Sequence, residues 1–262
     1  MNTASLPKRS LATFYQDAFA ILEEAQIQFL IGGAFAQSRY TQRDRDTKDL
    51  DIILRRDDVP RMLVAFEHAG YQADVPYPHW LAKIHSNGQY LDVLFGSGNG
   101  VIHVDDCWFT NSVEADVLDR KVRLCPPEEL LWSKAFVQER ERFDGADVLH
   151  LLHACAATLD WDRLLARFDQ YWPVLFSHLV LFQFAYPDRR ADVPRRILDE
   201  LSGRLSRLEQ NDAEHVCYGT IVSREQYLHD MNVLGYEDAR LVPRGSMTRR
   251  DLEIWTEAIN KG

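Results

Sequence analysis

A chain of 262 residues with a hydrophobic fraction of 46% is long enough for one large or two modest domains, each with a core of its own. Its formal net charge of −10 argues against an extensive nucleic-acid interface, because holding phosphates takes a basic face. No N-terminal stretch joins basic residues, an unbroken apolar run and a small-residue cleavage site, and no window is apolar for the thickness of a bilayer. The expectation is a cytoplasmic protein without a membrane span. Cys107, Cys125, Cys155 and Cys217 lie far apart with no Cys-x-x-Cys spacing, which reads as reduced thiols.

In chain order, residues 10–26 carry Leu11, Phe14, Ala18, Ile21, Leu22 and Ala25 at helical spacing, so an amphipathic helix comes first. The apolar strand that follows breaks at Gly32-Gly33, a helix is predicted from Ala34, and after a charged loop at 39–47 a second apolar strand opens with Asp49 and Asp51. Alternation along that strand sends both acids to one face and Leu50, Ile52 and Leu54 to the other. Residues 55–58 read as a solvated turn and 59–69 as a helix ending at Gly70. Short strands are predicted at 71–75 and 79–85, the second forming a hairpin through Asn87-Gly88 with a strand at 90–95 that carries Asp92. Residues 96–100, rich in glycine and serine, read as a flexible link that borders a substrate pocket. More strand and turn, with an exposed acidic pair at Asp105-Asp106, is expected over 101–124.

Pro126-Pro127 followed by Glu128-Glu129 is a helix start, since proline suits the first turn and acids suit the positive end of the dipole. Beyond it the pattern is almost wholly helical, with helices over 161–168, 172–186 and 195–208 separated by Pro173, Pro187 and Pro194. Lys134 falls on or beside the buried stripe of the first of these helices, where an ammonium must snorkel or face an anion. His150 and His153, one helical turn apart and near Cys155, have chelating spacing but lack a fourth ligand, so packing is preferred. Arg189-Arg190, Arg195-Arg196 and Arg249-Arg250 read as solvated charge, and residues 241–246 match a thrombin recognition sequence from which no function is drawn.

Ile31-Gly32-Gly33, then Asp49-Leu50-Asp51-Ile52, then Asp92 within Leu91-Asp92-Val93 resemble the signature of the nucleotidyltransferase superfamily related to DNA polymerase β. The segment between Gly33 and Asp49 is slightly longer than that family's usual spacing. The resemblance implies an α+β fold: a polymerase β-like mixed sheet with flanking helices over residues 1–125, followed by a C-terminal helical domain over 126–262. It implies a Mg2+-dependent enzyme that moves a nucleoside monophosphate from a nucleoside triphosphate to an acceptor, with two Mg2+ ions about 3.5–4 Å apart. Asp49 and Asp51 would bridge both ions, and Asp92 would complete the ion nearer the acceptor hydroxyl and take its proton.

Gly32 and Gly33 would let the backbone reach the β- and γ-phosphates, with Lys48 and Arg39 as phosphate neighbours. The second half is similar to nucleotidyltransferases of the abortive-infection-toxin type, which implies that Lys134 contacts the triphosphate and that Asp144 or Asp147 lines the site. The competing account of these three residues is a surface helix laced with ion pairs. A small cationic acceptor suits the acidic surface best, with an RNA end or a protein hydroxyl as rivals. A second class stays open, in which the chain binds nucleotide without turnover and acts through a protein partner.

Overall fold

A computed structural model describes residues 10–43, 50–208 and 215–257. The chain opens with α1 (Leu11–Glu24), capped by Ser10, whose hydroxyl accepts from the Thr13 amide. It continues through β1 (Leu30–Ile31), α2 (Gly33–Thr41), β2 (Leu50–Ile53), α3 (Val59–His68), β3 (Gln72–Tyr77), β4 (Leu81–Ser86) and β5 (Gln89–Leu94). Then follow α4 (Asp106–Thr110), β6 (Val113–Val117), β7 (Arg120–Leu124), α5 (Pro127–Ala135), α6 (Gly145–Cys155), α7 (Trp161–Phe168), α8 (Trp172–Ala185) and α9 (Arg195–Ser206). The C-terminal stretch holds β8 (Val216–Cys217), α10 (Gly219–Val222), α11 (Leu228–Asn232), β9 (Glu237–Asp238) and α12 (Arg249–Glu257).

Seven strands form one mixed sheet in the order β3-β4-β5-β2-β1-β7-β6. β2 runs parallel to β5 and antiparallel to β1, which in turn runs parallel to β7; the hairpins β3-β4-β5 and β6-β7 close the two ends. This is the mixed sheet with flanking helices and a C-terminal helical region that the motif implied.

Alternation along β2 assigns the two faces. Ile52 and Leu54 pack with Leu91 and Val93 under α1 and α3, against Phe14, Phe19, Met62 and Phe66. Phe14, Phe19 and Phe66 are fully buried, and each side chain of that size contributes roughly 1.5–3 kcal/mol. On the opposite face Leu30 and Ile53 belong to a second apolar cluster that runs through Ala36 into Leu131, Leu151, Phe168 and Leu179 of the helical half. Asp51 and Asp92 therefore sit on the face that looks toward the helices.

Several local expectations change. Asp105 and Asp106 are exposed as expected but open a helix, α4, where strand and turn were predicted: Asp105 accepts from the Cys107 amide and holds Arg167 at 2.5 and 2.8 Å. Pro173 lies in the first turn of α8, where its missing N–H costs nothing, so it starts a helix instead of dividing two. Glu128 and Glu129 are buried to 3% and 0% exposure and are bound by Arg163 and Arg167 of α7. They tie two helices together as well as facing a helix dipole.

The second half adds one element that its helical pattern did not indicate: β8 and β9 pair in parallel as a small separate sheet. Residues 96–100 are not a loose link. The Asn99 amide group donates to the Ile221 carbonyl at 2.7 Å, and Trp255 of α12 lies on Gly98 so closely that a Cβ there would come within 2.5 Å of the ring. Tyr77 and Trp80 complete that aromatic contact, with centroids 5.0 and 5.4 Å from Trp255. Among the described residues no helix is long and apolar enough to cross a membrane.

Candidate active site

Two strands bring the described acids together. The parallel ladder of β2 and β5 sets Asp51 directly opposite Asp92, so both side chains leave the same face about 4.8 Å apart along the hydrogen-bonding direction. Their half-buried carboxylates repel, and cations stand on either side. Lys83 of β4 is the antiparallel partner of Asp92, with Nζ 2.5 Å from Oδ1. Arg142 is held more firmly protonated than an ordinary arginine, by its hydrogen bond to Asp144 first and then by the charges of Asp144, Asp51 and Asp147.

The diglycine bend is shaped around Asp51. Gly32 donates its amide to the Asp51 carbonyl at 2.9 Å and is the N-cap of α2. Gly33 has φ +53°, and a Cβ built on it would fall 1.6 Å from Asp51 Oδ2. The carboxylate thus fills the space that a side chain on Gly33 would need, at the first turn of α2. Both demands exclude any residue but glycine.

The helical half adds a second charged group on the same side. The loop after α5 folds back through a bridge between Gln138 and Phe143, which sets Asp144 at the start of α6. Lys134 Nζ then reaches Asp144 Oδ2 at 3.1 Å and Asp147 Oδ2 at 2.7 Å. Gln37 of α2 donates to the Asp147 carbonyl at 2.9 Å, joining this group to the helix that starts at Gly33.

Burial pushes the Asp144 carboxyl upward, but its hydrogen bond to Arg142 and the Lys134 charge outweigh that and hold it below the usual carboxylate range. A depressed native value means that stability is present above the ordinary value of 3.8 and is lost as pH falls through the lower native one. Lys134→Met, which leaves the buried Asp144 and the half-buried Asp147 without their shared cation, is expected to cost about 3 kcal/mol in urea denaturation at pH 7. That deficit should shrink as pH falls below 3.8, where the stability that depends on the depressed Asp144 carboxyl is itself lost.

Of the residues singled out from sequence, Gly32, Gly33, Asp51 and Asp92 gather at one place, and Lys134, Asp144 and Asp147 gather beside them. Asp49 and Lys48 lie outside the described residues. Arg39 sits six residues down α2 from Gly33, about 9 Å along the axis. It donates to the Asp116 carbonyl on β6 at the far edge of the sheet, so the structure does not bring it to the acids. Among the described residues no three His, Cys, Asp or Glu side chains form a metal-holding group. His153 lies tilted against Tyr186 with centroids 4.7 Å apart, and Cys155 is buried in the helical core. Sequence reading passed over Lys83, although counting back from the Asn87-Gly88 turn pairs residue 83 with 92.

Residues 16–116, fewer than half of the chain, match the family model of aminoglycoside-2''-adenylyltransferase. No curated protein matches. Among solved structures, the antibiotic-resistance factor ANT(2'')-Ia in solution is 17% identical, covering 64% of this chain and 95% of its own, with a TM-score of 0.44. Its crystal structure with adenylyl-2''-tobramycin is 16% identical over 62% and 98% of the two chains, with a TM-score of 0.45. The lincosamide antibiotic adenylyltransferase LnuA, lincomycin-bound, is 18% identical over 55% and 96%, with a TM-score of 0.38. The stretch matched by the family model holds the diglycine bend and the strands bearing Asp51 and Asp92, so the likeness falls on the same residues as the motif read from sequence.

Proposed function

We propose that the chain moves AMP from ATP to a hydroxyl of a small cationic acceptor of the aminoglycoside kind, with Mg2+ as cofactor. The observation that carries this reading is the in-register pair Asp51 and Asp92 beside Gly33. The family description over residues 16–116 supports the donor and the acceptor class. The net charge of −10 supports a polycationic acceptor, which a negative cleft would draw in. In this reading residues 1–125 are the catalytic domain and 126–262 a helical domain that faces it.

The donor set fits a hard divalent cation, since it consists of anionic oxygens and Gly33 leaves their space clear. Asp51 and Asp92, with Asp49 assigned from the motif alone, would hold the two Mg2+ ions. When bound, Mg2+ supplies positive charge against the negative charge that builds on the phosphoryl oxygens.

The rest falls to the chain. The first-turn amides of α2 orient the β- and γ-phosphates, and the bend at Gly32-Gly33 admits them closely. The Lys134 group, through Arg142, fixes the electrostatics on the helical side of Asp51. As the acceptor oxygen bonds to the α-phosphorus and pyrophosphate leaves, Asp92 receives the hydroxyl proton.

The test is pyrophosphate release from ATP with Mg2+ and a panel of aminoglycosides, lincosamides, RNA ends and protein hydroxyls. Release that requires both Mg2+ and a cationic small molecule is the expected result. ATP binding without release in every arm would leave only a silent nucleotide-binding module.

A further inference from the structure

Four side chains stand in one register row across the sheet: Asp74 on β3, Lys83 on β4, Asp92 on β5 and Asp51 on β2. Residues directly opposite share a face, so the row reads minus, plus, minus, minus toward the diglycine bend. Asp74 also pairs with His85 on the outer hairpin. Lys83 is fixed by two contacts: its Nζ lies 2.5 Å from Asp92 Oδ1 and 4.0 Å from the centroid of the Tyr90 ring. With side-chain exposures of 26% and 20%, the Lys83–Asp92 pair remains in contact with solvent and contributes little to folding. Its position has another consequence, because the ammonium engages an oxygen of a carboxylate assigned to cation binding.

We propose that Lys83 is a positioning residue that keeps Asp92 aimed along this row and opposes the entry of a lone divalent cation, so that the site takes its metal together with a triphosphate. The inference rests on the proposed metal-holding role of Asp51 and Asp92. A positive charge beside a second, doubly charged cation raises the free energy of the loaded site, and the negative charge of a triphosphate offsets it. Lys83→Met should remove the opposition, whereas Lys83→Arg keeps the charge and should preserve it.

The measurement is Mn2+ binding to the full chain, followed by the electron-spin resonance of free Mn2+, with and without a non-hydrolysable ATP analogue. In Lys83→Met, Mn2+ alone should bind about tenfold more tightly than in the native chain. Lys83→Arg should match the native chain, and the extra Mn2+ affinity gained from the analogue should shrink in Lys83→Met. Thermal melting of both variants establishes that they are folded, and Lys83→Gln serves if the methionine variant is not. Unchanged Mn2+ affinity in the folded, uncharged variants overturns the inference. Asp51→Asn separates the two readings. If it abolishes Mn2+ binding while Lys83→Met changes nothing, only the role of Lys83 is lost. If Mn2+ binding survives in Asp51→Asn, the carboxylate site itself is refuted.

Discussion

Asp51→Asn is expected to lower nucleotidyl transfer about a thousandfold or more while leaving the unfolding transition close to that of the native chain. The substitution keeps size and hydrogen-bonding reach but removes the charge that the proposed cation binding requires. Its structural cost is small, since Asp51 faces a second carboxylate in register and the change relieves repulsion between them. The asparagine also still fits over Gly33, where the carboxylate now lies. Transfer rates and urea denaturation on the same preparation check both halves of the expectation. Transfer at near-native rate would remove the carboxylate mechanism outright.

Gly33→Ala should damage both function and fold. The backbone conformation at φ +53° costs an alanine roughly 1–2 kcal/mol. The added Cβ, 1.6 Å from Asp51 Oδ2, must also displace that side chain or the first turn of α2. Either movement separates the carboxylate from its partner on β5, so activity should fall at least about a hundredfold, in line with the sensitivity of catalysis to misplacement near 1 Å. A total loss of about 2–3 kcal/mol is expected from strain and collision together. The double variant Gly33→Ala with Asp51→Gly should recover the part of that stability due to collision, and none of the activity. Additive losses in this cycle would mean that the two residues do not press on one another.

The site was legible in sequence where its determinants are local. The alternation at Asp51, the two adjacent glycines and the hairpin turn at Asn87-Gly88 each act over a few residues, and together they named the acids that the sheet brings together. Lys83 needed only a count across that turn and was within reach. Glu128 and Glu129 were different: their burial depends on Arg163 and Arg167, some 35 residues away, and nothing near Pro127 announces those partners. The glycine-rich stretch at 96–100 misled for the same reason, because local composition says flexible while a helix from the other end of the chain packs against it. The pair β8 and β9, two residues each, is too short to leave a periodic trace. For Asp49 the motif is the only guide, as it lies outside the described residues.

The contact of Trp255 with Gly98 sets an order of assembly. More than half of the chain separates Asp92 from the helix that braces the loop leaving its strand, so a ribosome makes the acidic pair long before its support. A nascent chain, or a fragment cut after α9, would carry both carboxylates on a sheet whose exit loop still lacks its aromatic brace. Helix α12 is thus made well after the sheet whose exit loop it braces.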